Sequence, residues 1–314
     1  MSRARAGSGA RGRAGARTPA RRERSRGASA HAARALTRRR SVSAPSPSTP
    51  PPTTDAPSQV RSHEGASTPR GGVDVPRLRR VCTVVIEVGA LQEGQGPVVR
   101  LLAVRDEDPL REWDALGEWW PDRPGVIGIR DRRAGGAWLA VDPASHRLAV
   151  LLNRADVLDL PDDQAVSRGT LAPASVTGTS PSGSERMHGF NLLEVSPDGA
   201  RVLSWDGTEL RETPVPPGVH MIAHSDLDDP DTARIARWLP EFRAHPTRDE
   251  EWPESWIRLL ATTAELDPTD DRAIIRDNRP HGYPTQSLLY CIASVGPDGV
   301  EVRDHALPAP AHWA

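Results

Sequence analysis

The sequence has no lysine, so all 40 of its cationic side chains are arginine. It has only two cysteines, two phenylalanines and two tyrosines in 314 residues. Two cysteines exclude a disulfide-stapled scaffold and a cysteine-rich zinc module. No apolar run approaches the ~20 residues that a membrane-spanning helix needs. The basic start is never followed by an apolar stretch, so a secretory signal is not expected. Arginine without lysine, beside 31 prolines and 26 glycines, is the usage expected of a GC-rich bacterial genome. A cytoplasmic protein is the expectation that follows.

What is present is divided unevenly. Residues 1–80 carry 18 arginines against Glu23, Asp55, Glu64 and Asp74, a balance of +14, whereas residues 81–314 balance at −16. Every Trp, Tyr, Phe, Ile and Cys lies after residue 80. A segment with six large aliphatic side chains in eighty and no aromatics cannot bury enough surface to offset its ordering entropy. Residues 1–80 therefore read as a disordered Arg/Pro/Ser-rich tail, and 81–314 as one domain. The tail has three readings. It can be a basic arm binding nucleic acid or a membrane surface by charge alone, since no aromatics interleave to stack bases. It can be an organellar transit peptide. Or it lies outside the working protein, with translation starting at a GTG codon for Val81.

Within 81–314, Val81 to Val88 is β-branched and reads as a buried strand, with Val98 to Val104 as its neighbour. Trp138 to Val141 and Leu148 to Leu152 read as a pair across the polar turn Asp142–His146. Ser196-Pro197-Asp198-Gly199 and Gly296-Pro297-Asp298-Gly299 are hairpin turns, the first between Phe190–Val195 and Arg201–Trp205, the second between Ser287–Val295 and Val300–Val302. Val219 to Ala223 is a further short strand. Asp229-Pro230 predicts a helix start, with Ile235, Trp238, Leu239 and Phe242 on one stripe. A second helix is predicted over about Glu250 to Leu266, and a shorter one after Ser167-Arg168-Gly169. Hairpins with interspersed helices predict an α+β fold of mostly antiparallel sheets.

Six strings in order carry a resemblance. They are Cys82-Thr83-Val84-Val85, Leu102 to Glu107, Trp119-Trp120-Pro121, Gly135 to Ala140, Leu152-Asn153-Arg154 and Ser167-Arg168-Gly169. Together they resemble the NRDE family, also called the transport and Golgi organisation protein 2 family, over Cys82 to about Tyr290. The resemblance implies a four-layer αββα sandwich like that of N-terminal-nucleophile hydrolases, in which cysteine follows the initiator methionine. It therefore points to Cys82 as residue one of the mature chain, reached by starting at Val81 or by cutting a propeptide. The sequence departs from the family pattern at Val104, where asparagine is usual. It departs more loosely at Ala223-His224-Ser225 and at Tyr283 to Gln286.

An N-terminal cysteine carries its own base, because thiol (about 8.5) and α-amine (about 7.7–8.0) lie close in pKa. Sulfur can then attack a carbonyl while the amine takes its proton. Cys82, Arg105, Asp106 and Asn153 are the expected catalytic set: nucleophile, guanidinium favouring the thiolate, holder of the amine, and oxyanion donor. Trp120, Trp138, Arg154 and His224 are candidate ligand contacts. Ser167-Arg168-Gly169 reads as a helix cap, with an anion contact as the alternative. Asp226, Asp228 and Asp229 read as a helix-start cluster complementing the macrodipole. Cys291 reads as an inert core residue, and no cofactor or metal is expected. The expected function is Cys-dependent hydrolysis of a small acyl or amide compound. The alternative is a non-catalytic carrier for a hydrophobic metabolite such as haem or acyl-CoA. Nucleic acid is expected as a partner only through residues 1–80.

Overall fold

A computed structural model describes residues 82–90, 97–155, 157, 160–161, 164–183, 186–245, 247 and 251–313. The expectations for residues 1–80 and for Val81 lie outside the described residues. Among the described residues the strands are β1 (Thr83–Val88), β2 (Val99–Glu107), β3 (Trp113–Gly117), β4 (Ile127–Asp131), β5 (Ala137–Asp142) and β6 (Arg147–Asn153). After helix α1 (Leu171–Val176) come β7 (Phe190–Ser196), β8 (Gly199–Trp205), β9 (Leu210–Val215) and β10 (Gly218–Ile222). Helices α2 (Ala233–Ala244) and α3 (Trp252–Thr263) precede β11 (Gln286–Gly296) and β12 (Gly299–Ala306). No described helix is long and apolar enough to cross a membrane.

The strands form two antiparallel sheets. One has the order β10-β1-β2-β11-β12, so chain-distant strands flank the first hairpin; the other is a meander from β3 to β9. The apolar run Val84–Ile86 of β1 follows from its place between β10 and β2 with both faces covered. Val84, Ile86 and Val88 turn into a core shared with Leu139, Val150 and Leu193 of the other sheet. Val85 turns the other way, with Leu102 and Val104, toward Ile235, Trp238 and Phe242 of α2 and Trp256 of α3. Phe242 and Trp252 both meet Trp256 edge-on, at ring-centroid distances of 5.5 and 5.6 Å. A third core packs Leu171, Ala172 and Val176 of α1 on Ala140, Ala149 and Leu192. The chain is thus a mixed α and β protein dominated by antiparallel sheet.

Most predicted elements lie where their patterns put them, and the hairpin turns close at Gly199 (φ +132°) and Gly299 (φ +146°), a backbone region that favours glycine. Strands β3, β4 and β9 were not anticipated. β9 is an edge strand whose middle residues face solvent, so its sequence LRETPV lacks the apolar alternation that marks a half-buried strand. The start of α2 differs too. The helix begins at Ala233 after Thr232, with no acid in its first turn. Asp229 instead accepts from the Asp231 N–H (3.0 Å) and the Thr232 hydroxyl (3.3 Å), which closes a turn before the helix. Asp226 pairs with Arg154 and Arg211, and Asp228 with His220 and Arg243. None of these carboxylates lies in the first turn of α2.

Candidate functional site

The β1–β2 register pairs Thr83 with Val104, which sets Cys82 opposite Arg105. Ala103 faces the core between the sheets and Val104 faces the helices. Strand alternation therefore turns Arg105 to the side of Cys82 and Asp106 to the helix side. A cavity of about 630 Å³ opens at this point, lined by Cys82, Arg105, Asp106, Glu107, Trp138 and Asn153 among others. All four residues of the expected catalytic set reach it, with Trp138 beside them.

Cys82 is 3 % exposed, and its thiol points at the Asp106 carbonyl oxygen at 3.7 Å. Burial, followed by the charge of Asp106, pushes the thiol up to about 12. The hydrogen bond to Asp106 and the charge of Arg105 oppose this and are outweighed. Arg105 therefore does not produce a thiolate in this chain, because a sulfur sealed from water loses more by desolvation than one guanidinium returns. Arg105 itself is buried. Its Nη2 lies 3.5 Å from a Glu107 carboxylate oxygen, and its Nη1 has no hydrogen-bond partner among the described residues.

Asp106 sits over a buried polar group that the sequence pattern did not reveal. The Ser287 hydroxyl donates to its Oδ1 at 2.6 Å, and Ser287 Oγ accepts from the Arg276 N–H at 2.8 Å. Arg276 in turn donates to Asn278 Oδ1 at 3.0 Å, and Arg234 of α2 donates to the Thr83 hydroxyl at 3.1 Å. Burial pushes the Asp106 carboxyl up to about 7, against the pull of Arg234, Ser287, Arg276 and Asn278. Burial first, then Arg276, pushes Arg234 down to about 9. The only sequence signal for these residues is a polar side chain next to an apolar run: Arg276 follows Ala273-Ile274-Ile275, and Arg234 adjoins the stripe of α2.

Two of the resemblance-bearing strings meet at one cavity wall. A Cβ on Gly136 would lie 2.2 Å from the backbone of Gly169, so the two loops touch backbone to backbone and only glycine fits at 136. Ser167 caps the 3₁₀ turn Arg168–Thr170 by accepting from the Gly169 N–H at 3.3 Å. Arg168 then donates to the Gly189 carbonyl at 2.6 Å, and its side chain lines the cavity. Arg111, Arg133, His188 and Tyr283 also line it; Arg111 and Arg133 were not singled out from the sequence, and Tyr283 only as a departure from the family pattern.

Three expected contacts are not brought to the cavity. Trp120 packs against the core around α1, and its indole N–H donates to the Gly135 carbonyl at 2.8 Å. Arg154 is held between Asp226 (2.6 Å) and Asn191 (3.3 Å). His224 follows β10, and burial together with Arg234 pushes its imidazole down to about 4. Asn191, fully buried, ties this turn to the meander sheet by donating to the carbonyls of Ala223 (3.2 Å) and Ser225 (2.8 Å). Cys291 lies in the core between the sheets, and burial raises its thiol well above the usual range. Among the described residues no group of three His, Cys, Asp or Glu side chains is placed to hold a metal ion. In comparisons with known proteins, no family model matches the chain, nor does any curated protein.

Proposed function

We propose that this chain is an NRDE-type protein, a four-layer αββα sandwich of the N-terminal-nucleophile kind, whose cavity carries out Cys-dependent acyl transfer on a small amide or acyl compound. The observation that supports this reading is the convergence of Cys82, Arg105, Asp106 and Asn153 on one cavity from three separate strands or strand ends. The chemistry requires a free α-amine on Cys82, so the active form is one in which the Val81–Cys82 bond is open.

In that form the amine, positioned by the Asp106 carboxylate, takes the thiol proton as sulfur attacks the substrate carbonyl. Asn153 supplies an N–H to the oxyanion. The C–N bond breaks, the proton passes to the leaving amine, and a thioester remains on Cys82. Water then attacks the thioester, releasing the acid and restoring the thiol. With Cys82 acylated by the preceding residue the base is an amide nitrogen, which cannot accept the proton.

The second reading, a carrier for a hydrophobic metabolite, is favoured by the same burial that holds the thiol near 12 in the uncut chain. The two readings separate in one experiment. Protein with Cys82 as its first residue is assayed against panels of amides and acyl thioesters, beside Cys82→Ser and an N-acetylated sample. Turnover abolished by both changes supports the acyl-transfer reading. Stoichiometric ligand binding that survives Cys82→Ala, with no turnover, supports the carrier.

A further inference from the structure

Each of the two sheets ends in two edge strands, and an edge strand carries a row of backbone N–H and C=O groups with which another chain can pair. Three of these four edges carry devices against such pairing. On β10 the Asp228 carboxylate accepts from the Met221 N–H at 2.8 Å, the Asp228 N–H donates to the Met221 carbonyl at 2.9 Å, and Arg243 donates to the Val219 carbonyl at 3.0 Å. β9 carries Pro214, which has no N–H to offer. β3 is five residues long, and its register breaks between Asp114 and Gly117. β12 has none of these. It runs for eight residues without proline and without a break in its pairing to β11.

The turn at Pro297-Asp298 closes on Gly296 and Gly299, the hydrogen-bonded pair that flanks a two-residue hairpin loop. Alternation from that pair directs the N–H and C=O groups of Val300, Val302, Asp304 and Ala306 away from β11. Nothing among the described residues hydrogen-bonds to them. Arg303 lies opposite Ile292, which faces the helices, so Glu301 and Arg303 share that side. Both are exposed, and neither makes an ion pair among the described residues. Val300 and Val302 are half-buried on the other side, against the core between the sheets.

Antiparallel pairing of β12 with the β12 of a second copy can set Val302 opposite Val302. Glu301 of each copy then faces Arg303 of the other, at the non-hydrogen-bonded positions where facing side chains come closest. A slip of two residues in one direction faces Glu301 with Glu301, and in the other direction Arg303 with Arg303. A slip of one residue faces outward backbone groups with inward ones. The charges therefore select a single register, and it is self-complementary, as a two-fold pair requires.

We propose that a second copy of this chain pairs with β12, so that the five-stranded sheets of two copies join edge to edge in the register centred on Val302. Glu301 and Arg303 fix the register, while the backbone bonds and the half-buried valines supply the attraction. The pairing goes beyond the chemistry at Cys82 and does not depend on it.

The test is sedimentation velocity of the full chain over a range of concentrations. Wild type should show a concentration-dependent dimer. Glu301→Arg puts arginine opposite arginine at both charge pairs, and Arg303→Glu puts glutamate opposite glutamate, so each should weaken the dimer at least about tenfold. The double reversal, Glu301→Arg with Arg303→Glu, restores opposite charges and should recover the dimer. An equimolar mixture of the two single variants should form heterodimers. Arg258→Glu, on the exposed side of α3, makes the same charge change as Arg303→Glu and should leave the dimer intact. A wild-type chain that stays monomeric up to about 100 µM overturns the proposal. So does a dimer that survives both single reversals, because another surface, such as the arginines of residues 1–80 on the acidic domain, would then be holding it. Failure of the double reversal to recover the dimer, in a chain that melts like wild type, overturns it as well. Where the double variant melts low, the mixture decides: heterodimers support the pairing and their absence refutes it.

Discussion

The reactivity of Cys82 is the sharpest consequence of the site's burial. In the uncut chain the thiol lies about three pH units above its ordinary value of 9.0. Only the thiolate reacts with an alkylating agent, so a shift of that size lowers the reactive fraction about a thousandfold near pH 8. Timed iodoacetamide labelling with peptide mass spectrometry reads the rate at Cys82 and Cys291 separately. Both should be protected in the folded chain and both labelled quickly in denaturant. The pH dependence is more telling than the rate at one pH. Labelling of Cys82 should climb about tenfold per pH unit from 8 toward 11, where an ordinary thiol levels off above about 9. Asp106 is the second cause of the raised value after burial, so Asp106→Asn should speed Cys82 labelling several-fold while leaving Cys291 unchanged. Opening the bond before Cys82 should likewise accelerate Cys82 alone. A folded, uncut chain whose Cys82 labels within a few-fold of the denatured rate, with a plateau near pH 9, would refute the description of the sulfur as sealed and neutral.

Asp106 should also tie stability to pH. Its folded value near 7 lies above the unfolded 3.8, so the folded state keeps a proton that the unfolded chain releases. That contribution is full below about pH 4 and is lost as pH rises through 7. Urea midpoints at pH 4, 5.5 and 7 should show Asp106→Asn gaining on wild type as pH increases, by roughly a few kcal/mol in total. Gly136→Ala places a methyl 2.2 Å from the Gly169 backbone, so it should cost about 2 kcal/mol or more and loosen the cavity wall, read by thermal melting. Leu139→Ala opens a void between the sheets where Leu139 is fully buried; denaturant titration should give a loss of about 2–5 kcal/mol. Ser287→Ala leaves Asp106 Oδ1 without its 2.6 Å donor, so the Asp106-linked pH slope should move to higher pH.

What the residues alone made legible follows from how each element is buried. The run from Thr83 to Val88 could be recognised because both of its faces are covered, and the helix stripes because each faces one core. The Pro-Asp-Gly hairpins needed only local backbone geometry, which glycine reports directly. The edge strand β9 stayed hidden because partial exposure leaves its sequence polar. Cys82, Arg105, Asp106, Asn153 and Trp138 were within reach because they lie in short strings at strand ends. Trp120, Arg154 and His224 shared those strings or their neighbourhood, but strand alternation and turn direction carried them to other partners.

The divided charge and the antiparallel elements are therefore properties of the linear chain, since composition and short-range periodicity suffice for each, whereas the choice of Cys82 rests on the resemblance. The company that Asp106 keeps is not a property of the linear chain. Arg234, Arg276 and Ser287 lie more than a hundred residues away in sequence and reach it only because β11 pairs with β2 and α2 packs over β1. The protonation of the site depends on that packing, because burial and neighbouring charge act through space and not along the backbone.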